Sequence, residues 1–392
     1  MKYDFDKIIK RQGTGCVKYD FPEEFGRPKD VLPLWVADMD FPTSQAILDR
    51  MTERIQHGIF GYSNSDDNYF QAVYNWYKSN FNWEVQKEWL VKTPGVVFAL
   101  AMAVRAFTQE GDAIMIQQPV YYPFARTIQN NKRKLVNNPL QLVDGHYEMD
   151  FADMEEKIVK NQVKLFILCS PHNPVGRVWK EWELQKVGEI CRKYGVKIVS
   201  DEIHSDFTYP GHTHHVFTTI SEEFKDFSIV CTAPSKTFNL AGLQISNIFI
   251  PNPDMRKAFI AAMDEVGYEE VNIMGMTACQ AAYEEGAEWL SELKEYLCGN
   301  LEFVRTYLLE NLPQIKLIEP EGTYLLWLDC TELGMSGKDR DEFMLHQAKL
   351  WLDTGSMFGK DGENFERVNI TCPRAVLKQA LDQLKAACEQ LK

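Results

Sequence analysis

Short, nearly unbroken apolar runs alternate along the middle of this chain with longer segments in which apolar residues recur at helical spacing. The runs at 113–116, 163–169, 196–200, 228–232 and 245–250 are strand-length and rich in β-branched residues, so they are predicted strands. Segments 45–57, 67–80, 96–107 and 181–194 carry the helical period. Thr43 or Ser44 can cap the first of them, and Gly195 ends the last. Strands with little polar alternation are buried on both faces, as in a parallel sheet. Alternating strands and helices therefore predict an α/β fold with a mostly parallel, doubly wound sheet.

The pattern changes at both ends. Residues 1–45 hold Gly13, Gly15, Pro22, Gly26, Pro28 and Pro33, which break any long periodicity and predict an extended arm. Beyond residue 286 come a helical stretch at 287–311, strand runs at 315–318, 323–328 and 367–370, and a terminal helix over 375–392. That is the pattern of a smaller α+β domain. The expected organisation is an arm (1–45) shared with the small domain, a large domain (46–285) and a small C-terminal domain (286–392).

Composition narrows the class. A net charge of -14 argues against nucleic acid or an anionic membrane as the main partner. The nine cysteines are scattered, odd in number and without a C-x-x-C pair, which reads as reduced thiols in a cytoplasmic protein. The N-terminus lacks the apolar segment of a signal peptide. The most apolar long window, 89–108, is broken by Lys92, Pro94 and Arg105, so no membrane span is expected. His212, His214 and His215 fit no standard metal spacing, and no metal site is expected.

In open α/β sheets ligands bind beyond the carboxyl ends of the strands. Three such ends here supply Asn173, Asp201 and Lys236. Taken singly, each has an ordinary reading: a turn, a cap and a solvated charge. Together they suggest a reactive amine with polar partners. A lysine of lowered pKa is a nucleophile whose characteristic product is a Schiff base with an aldehyde such as pyridoxal 5′-phosphate. That cofactor needs a carboxylate at its ring nitrogen, donors for its 3-oxygen, a phosphate cradle and a cation for the substrate carboxylate. Asp201 suits the first role, and Asn173 and His204 the second. Gly95, Val96 and Val97 open a helix and offer backbone N–H donors for a phosphate, with the Ser235 hydroxyl beside them. Tyr121 can stack on a planar ring. Arg374 follows Cys372-Pro373 and can hold a carboxylate through two parallel hydrogen bonds.

Three motifs resemble fold-type I, class I/II aminotransferase-like enzymes: Ser-Pro-His-Asn-Pro-Val-Gly (170–176), Asp-Glu-Ile-His (201–204) and Ala-Pro-Ser-Lys-Thr-Phe-Asn-Leu-Ala-Gly-Leu (233–243). Trp-Val-Ala-Asp-Met-Asp-Phe-Pro (35–42), His-Gly-Ile-Phe-Gly-Tyr (57–62), Pro-Val-Tyr-Tyr-Pro-Phe (119–124), Val-Ser-Asp-Glu-Ile-His-Ser-Asp-Phe (199–207) and Asn-Ile-Thr-Cys-Pro-Arg (369–374) narrow the resemblance to its MalY/PatB branch. The resemblance implies a homodimer with active sites at the subunit interface. Lys236 would carry the cofactor, with Asp201 at the ring nitrogen, Asn173 and His204 near the 3-oxygen and Tyr121 on the ring. Arg374 would take the substrate carboxylate, and Ala37 with Asp38 would line the substrate pocket. Tyr62 would reach the neighbouring subunit's site. Many class I enzymes place an arginine eight residues after the lysine to hold the phosphate; here that residue is Gln244.

The branch implies a carbon–sulfur lyase. L-Cystathionine, L-cysteine or related S-substituted cysteines would give a thiol, pyruvate and ammonia. An aminotransferase using the same cradle is the alternative. A binding or regulatory protein with a retained cofactor site is a third reading, against which the intact set of polar residues counts. The sequence does not rank the sulfur substrates.

Overall fold

The structure is a computed structural model, and it describes residues 2–391. The arm contributes a first short strand, β1 (Leu32–Pro33). Seven strands form the large sheet: β2 (Leu90–Thr93), β3 (Ala113–Ile116), β4 (Lys134–Asn137), β7 (Leu165–Cys169), β8 (Lys197–Asp201), β9 (Ser228–Thr232) and β10 (Ser246–Phe249). The hairpin of β5 (Gln141–Val143) and β6 (His146–Glu148) stands apart. The sheet order is β2-β10-β9-β8-β7-β3-β4. The five strands from β9 to β4 are parallel, whereas β10 runs antiparallel to both of its neighbours.

The apolar runs are continuous because both faces of this sheet are covered. Ile114, Ile116, Leu165, Ile167 and Ile229 point to the helices Val96–Phe107 and Pro253–Asp264. Ala113, Met115, Phe166, Leu168 and Ile198 point the other way, to the helices Phe151–Asn161 and Glu181–Lys193. The two-residue alternation of a strand is thus present, but apolar on both sides.

A four-stranded antiparallel sheet follows, in the order β11 (Lys316–Ile318), β12 (Leu325–Asp329), β15 (Phe365–Asn369), β14 (Asp353–Thr354). The long helix Ala287–Asn311 and the terminal helix Arg374–Glu389 pack with it. The arm joins this region, because β1 pairs in parallel with β13 (Leu350–Trp351). Trp35 stacks on Trp351 at 4.4 Å between ring centroids.

The predicted 45–57, 96–107 and 287–311 helices lie where the pattern put them. The helix Ile273–Glu285 went unpredicted. It is buried on most sides between the helices Gln45–His57 and Asp67–Phe81, so its apolar residues carry no one-sided period. The strand β4 and the hairpin also went unpredicted; β4 lies at a sheet edge and is only half covered, so its sequence is mixed. No helix among the described residues is long and apolar enough to cross a membrane.

One side chain ties the arm to the large sheet. Asn239, in the left-handed region at φ 57, accepts from the Met39 N–H at 3.0 Å and donates to the Met39 and Phe41 carbonyls, each at 3.0 Å. Asparagine tolerates that backbone better than most residues. From the other side Asn369 donates to the Val36 and Asp38 carbonyls at 2.6 and 2.7 Å. Asn239→Ala is expected to cost about 1–3 kcal/mol of stability, since it strands buried backbone groups. Urea unfolding measures the loss, and limited proteolysis should show earlier cleavage within residues 1–45.

Candidate active site

The carboxyl ends of the parallel strands lie level, because Asp201 pairs in register with both Cys169 and Cys231. The chain leaves each strand there with a different polar group. After β9, Ala233 is extended and Pro234 opens a one-turn helix, Pro234–Thr237, that carries Lys236. The turn is fixed from behind, where the Thr237 hydroxyl donates to Asp206 at 2.6 Å.

These ends enclose a cavity of about 190 Å³. Ala37, Gly95, Val96, Val97, Tyr121, Asn173, Asp201, His204, Ser235 and Lys236 all line it. Cys169 and Ile203 line it too, although nothing in the sequence singled out either as a site residue. Asp38, Tyr62 and Arg374 do not. Asp38 faces Arg11 instead, and Tyr62 stands 96% exposed on the 58–66 loop.

The Lys236 ammonium donates to the Ala37 carbonyl at 2.8 Å, and the Tyr324 hydroxyl donates to the same oxygen at 3.2 Å. Burial pulls the Lys236 pKa down to about 8; Asp38 opposes this, Arg367 reinforces it and Asp201 opposes it. The amine is thus partly free at neutral pH, as a nucleophile requires. Burial likewise pushes Asp201 up to about 7, against the hydrogen bond it accepts from the Ile203 N–H. His204 is neutral, because burial and the nearby Lys236 and Arg367 charges all lower its pKa.

Arg367 does not line the cavity either, but unlike Arg374 it is bonded to a residue that does. Arg374 begins the terminal helix, donates through Nε to Asn300 at 2.6 Å and lies over the Phe303 ring. Those contacts with the long helix hold it away from the cavity. Arg367 is on β15, 3% exposed, and donates to Asn173 Oδ1 at 3.0 Å and to the Trp35 carbonyl at 2.9 Å. It also pairs with buried Asp353 and lies 4.9 Å over the Phe358 ring. A charged residue inside a strand was the sequence signal for it. The histidine cluster has a structural explanation: His214 is buried and bonded to Glu202 at 2.8 Å.

The donor set fits pyridoxal 5′-phosphate. His204 Nδ1 and Arg367 Nε are buried without a partner. Asp201 is a buried carboxylate with one modest hydrogen bond and a raised pKa, which a protonated ring nitrogen would relieve. The helix Val96–Phe107 starts at Gly95 with no side-chain cap, leaving its first N–H groups open to an anion.

Comparison with known proteins agrees with this chemistry. Residues 29–384 match the family described as aminotransferase class I and II. The chain is 44% identical over 384 residues to cystathionine beta-lyase PatB of Bacillus subtilis, covering 98% of this chain and 99% of that one. It is 30% identical over 381 residues to protein MalY of Escherichia coli, with 97% of each chain covered. Its structure is similar to that of cystalysin from Treponema denticola, which contains pyridoxal 5′-phosphate, with a TM-score of 0.97, 39% identity and 100% of both chains covered.

A pH test follows from Asp201. Its folded pKa of about 7 lies above the usual 3.8, so its contribution to stability is fully present below about 3.8 and is lost as pH rises through 7. In cofactor-free protein, Asp201→Asn should therefore raise Tm relative to wild type at pH 8 and change it far less at pH 4. Calorimetry across that range checks the sign.

Proposed function

The chain belongs to the class I and II aminotransferase family, and from that premise we propose that it catalyses α,β-elimination from S-substituted cysteines. It is a pyridoxal 5′-phosphate-dependent carbon–sulfur lyase, converting L-cystathionine and water to homocysteine, pyruvate and ammonia. The observation that carries this reading is the convergence of Lys236, Asp201, Asn173 and His204 on one cavity, in a chain 44% identical to a cystathionine beta-lyase.

When bound, pyridoxal 5′-phosphate supplies an aldehyde for amines and a protonated ring that accepts the electron pair left by a broken Cα–H bond. Lys236 would hold it through that aldehyde. Asp201 would keep the ring nitrogen protonated and gain a close counterion. Asn173 and His204 would donate toward the 3-oxygen. Tyr121 would cover a ring face. Gly95, Val96, Val97 and Ser235 would bind the phosphate, with Gln244 standing where many class I enzymes carry arginine.

Arg367 orients the substrate by its α-carboxylate, steadied by Asp353 and Asn173. Lys236, its amine free and held at the Ala37 carbonyl, would remove the Cα proton through Nζ. As the Cβ–S bond breaks, the Lys236 ammonium would return that proton to the departing sulfur, which leaves as a thiol, and water would hydrolyse the remaining three-carbon fragment to pyruvate and ammonia.

Two subunits complete each site in this proposal. Tyr62 lines a surface cleft of about 480 Å³ with Lys92, Tyr268 and Val271, and exposed Ile59 and Phe60 lie beside it on the same loop. This apolar rim supports a homodimer in which Tyr62 serves the neighbouring cavity. The pairing of β1 with β13 supports grouping residues 1–45 with the small domain, 286–392, apart from the large domain, 46–285. Nine cysteines with no disulfide among them support a reducing cytoplasmic location.

The test is pyruvate release from L-cystathionine, followed through lactate dehydrogenase. Multiple turnovers that vanish in Lys236→Ala are expected. Conversion of the cofactor to its amine form without pyruvate would make the protein an aminotransferase. Arg367→Met should lower kcat/KM by about two orders of magnitude, the cost of losing a buried charge pair with the substrate. Arg374→Met should leave it within a few-fold. For the shared site, mixing inactive Lys236→Ala with a Tyr62 variant of low activity should restore part of the wild-type rate, because one site in each mixed dimer is intact. No recovery after subunit exchange would remove Tyr62 from the partner's site.

A further inference from the structure

The arm brings a charge cluster against the reactive amine. Arg11 grips Asp38 with both terminal nitrogens, at 2.6 and 3.1 Å, and also donates to Asp40 at 2.7 Å. Lys18, 1% exposed, donates to Asp40 at 2.9 Å, and the Tyr19 hydroxyl donates to the same oxygen at 2.9 Å. Lys18 is farther from Asp38, at 3.9 Å. Asp38 directly follows Ala37, whose carbonyl holds Lys236.

We propose that Arg11 is a positioning residue for Lys236: as the counterion of Asp38, it holds that carboxylate off the lysine amine and keeps the amine nucleophilic. The geometry has two parts. The bidentate grip fixes the Asp38 side chain on Arg11. The backbone at Ala37 is fixed separately, by Asn369 bonds to the carbonyls on either side of it. The arm can therefore keep its path while the charge of Asp38 is changed.

Asp201 and His204 from the end of β8 and Tyr121 after β3 line the cavity with Lys236, Tyr324 before β12 shares its carbonyl partner, and Asp38 from the arm and Arg367 from β15 act on it through space from outside the cavity lining. His204 is neutral, and burial holds both tyrosines protonated. Arg367 is balanced by Asp353. Asp201 is reserved for the ring nitrogen. Asp38 is the remaining charge, and Arg11 is what balances it. Without Arg11, the Asp38 carboxylate, left with only the more distant Lys18, would favour the ammonium form and slow attack.

This inference rests on Lys236 being the reactive amine of the proposed lyase, but its test reads that amine without cofactor or substrate. Cofactor-free protein is labelled with acetic anhydride over pH 6–10, and the Lys236 peptide is quantified by mass spectrometry against exposed lysines. Arg11→Met should cut Lys236 labelling at pH 8 by about threefold to tenfold, as expected when an adjacent positive charge is lost. Arg11→Lys should restore it. Asp38→Asn should shift the labelling midpoint in the opposite direction, to lower pH, and the Arg11→Met/Asp38→Asn pair should lie near wild type. Unchanged labelling in Arg11→Met overturns the proposal. So does an upward midpoint in Asp38→Asn or in the double variant, which would mean that the arm only shields the lysine from water. Loss of pyruvate production with the expected labelling pattern would overturn the lyase reading and leave this one standing.

Discussion

A lysine amine held out of water against a backbone carbonyl is the constraint on which the site depends. Burial, the largest cause, brings Lys236 down to about 8 against the pull of Asp38 and Asp201 and with the help of Arg367. That burial needs a lid, and the lid is the arm. Residues 35–41 are clamped between Asn239 on one side and Asn369 on the other. Asn239 sits three residues beyond Lys236, so the segment that presents the amine also fastens the strand of chain that covers it. The parallel sheet supplies the rest by ending its strands level, which brings Asn173 and Asp201 to the same depth as the lysine turn.

Charges around the amine come in pairs. Arg367 is set against Asp353, and Arg11 against Asp38. Asp201 is the exception, a buried carboxylate raised to about 7 that makes no ion pair and feels Lys236 only through space. An unpaired buried acid is costly in a protein with nothing to bind. In this chain the cost is relieved when a protonated ring nitrogen arrives, so the same group that weakens the cofactor-free protein strengthens cofactor binding. The electrostatics of the cavity thus select a cationic heteroaromatic ligand as well as an anion at the Gly95 helix start.

Much of this was legible in the sequence, for identifiable reasons. The strands were visible because sheet burial on both faces leaves unbroken apolar runs. The site followed because strand ends are where ligands bind in such sheets, and Asn173, Asp201 and Lys236 each stand just past a run. What the sequence hid were relations across the chain. Arg374 looked better placed than Arg367, since it opens a helix after Cys372-Pro373, while Arg367 sits inside a strand that reads as core. Only the antiparallel pairing of β14 with β15 shows that Asp353 and Arg367 share a register position, directed to Asn173. The Arg11–Asp38 pair was hidden for the same reason, since an irregular arm carries no period from which contacts can be read. The helix Ile273–Glu285 escaped because burial on most sides erases the pattern that reveals a helix.

The most direct test of the account is the identity of the amine that carries the cofactor. Protein loaded with pyridoxal 5′-phosphate is reduced with borohydride, digested and mapped by mass spectrometry. A stoichiometric pyridoxyl mark on the peptide containing Lys236, and on no other lysine, is the predicted result. A mark on another lysine, such as the half-buried Lys92 at the surface cleft, with Lys236 unmodified, would contradict it.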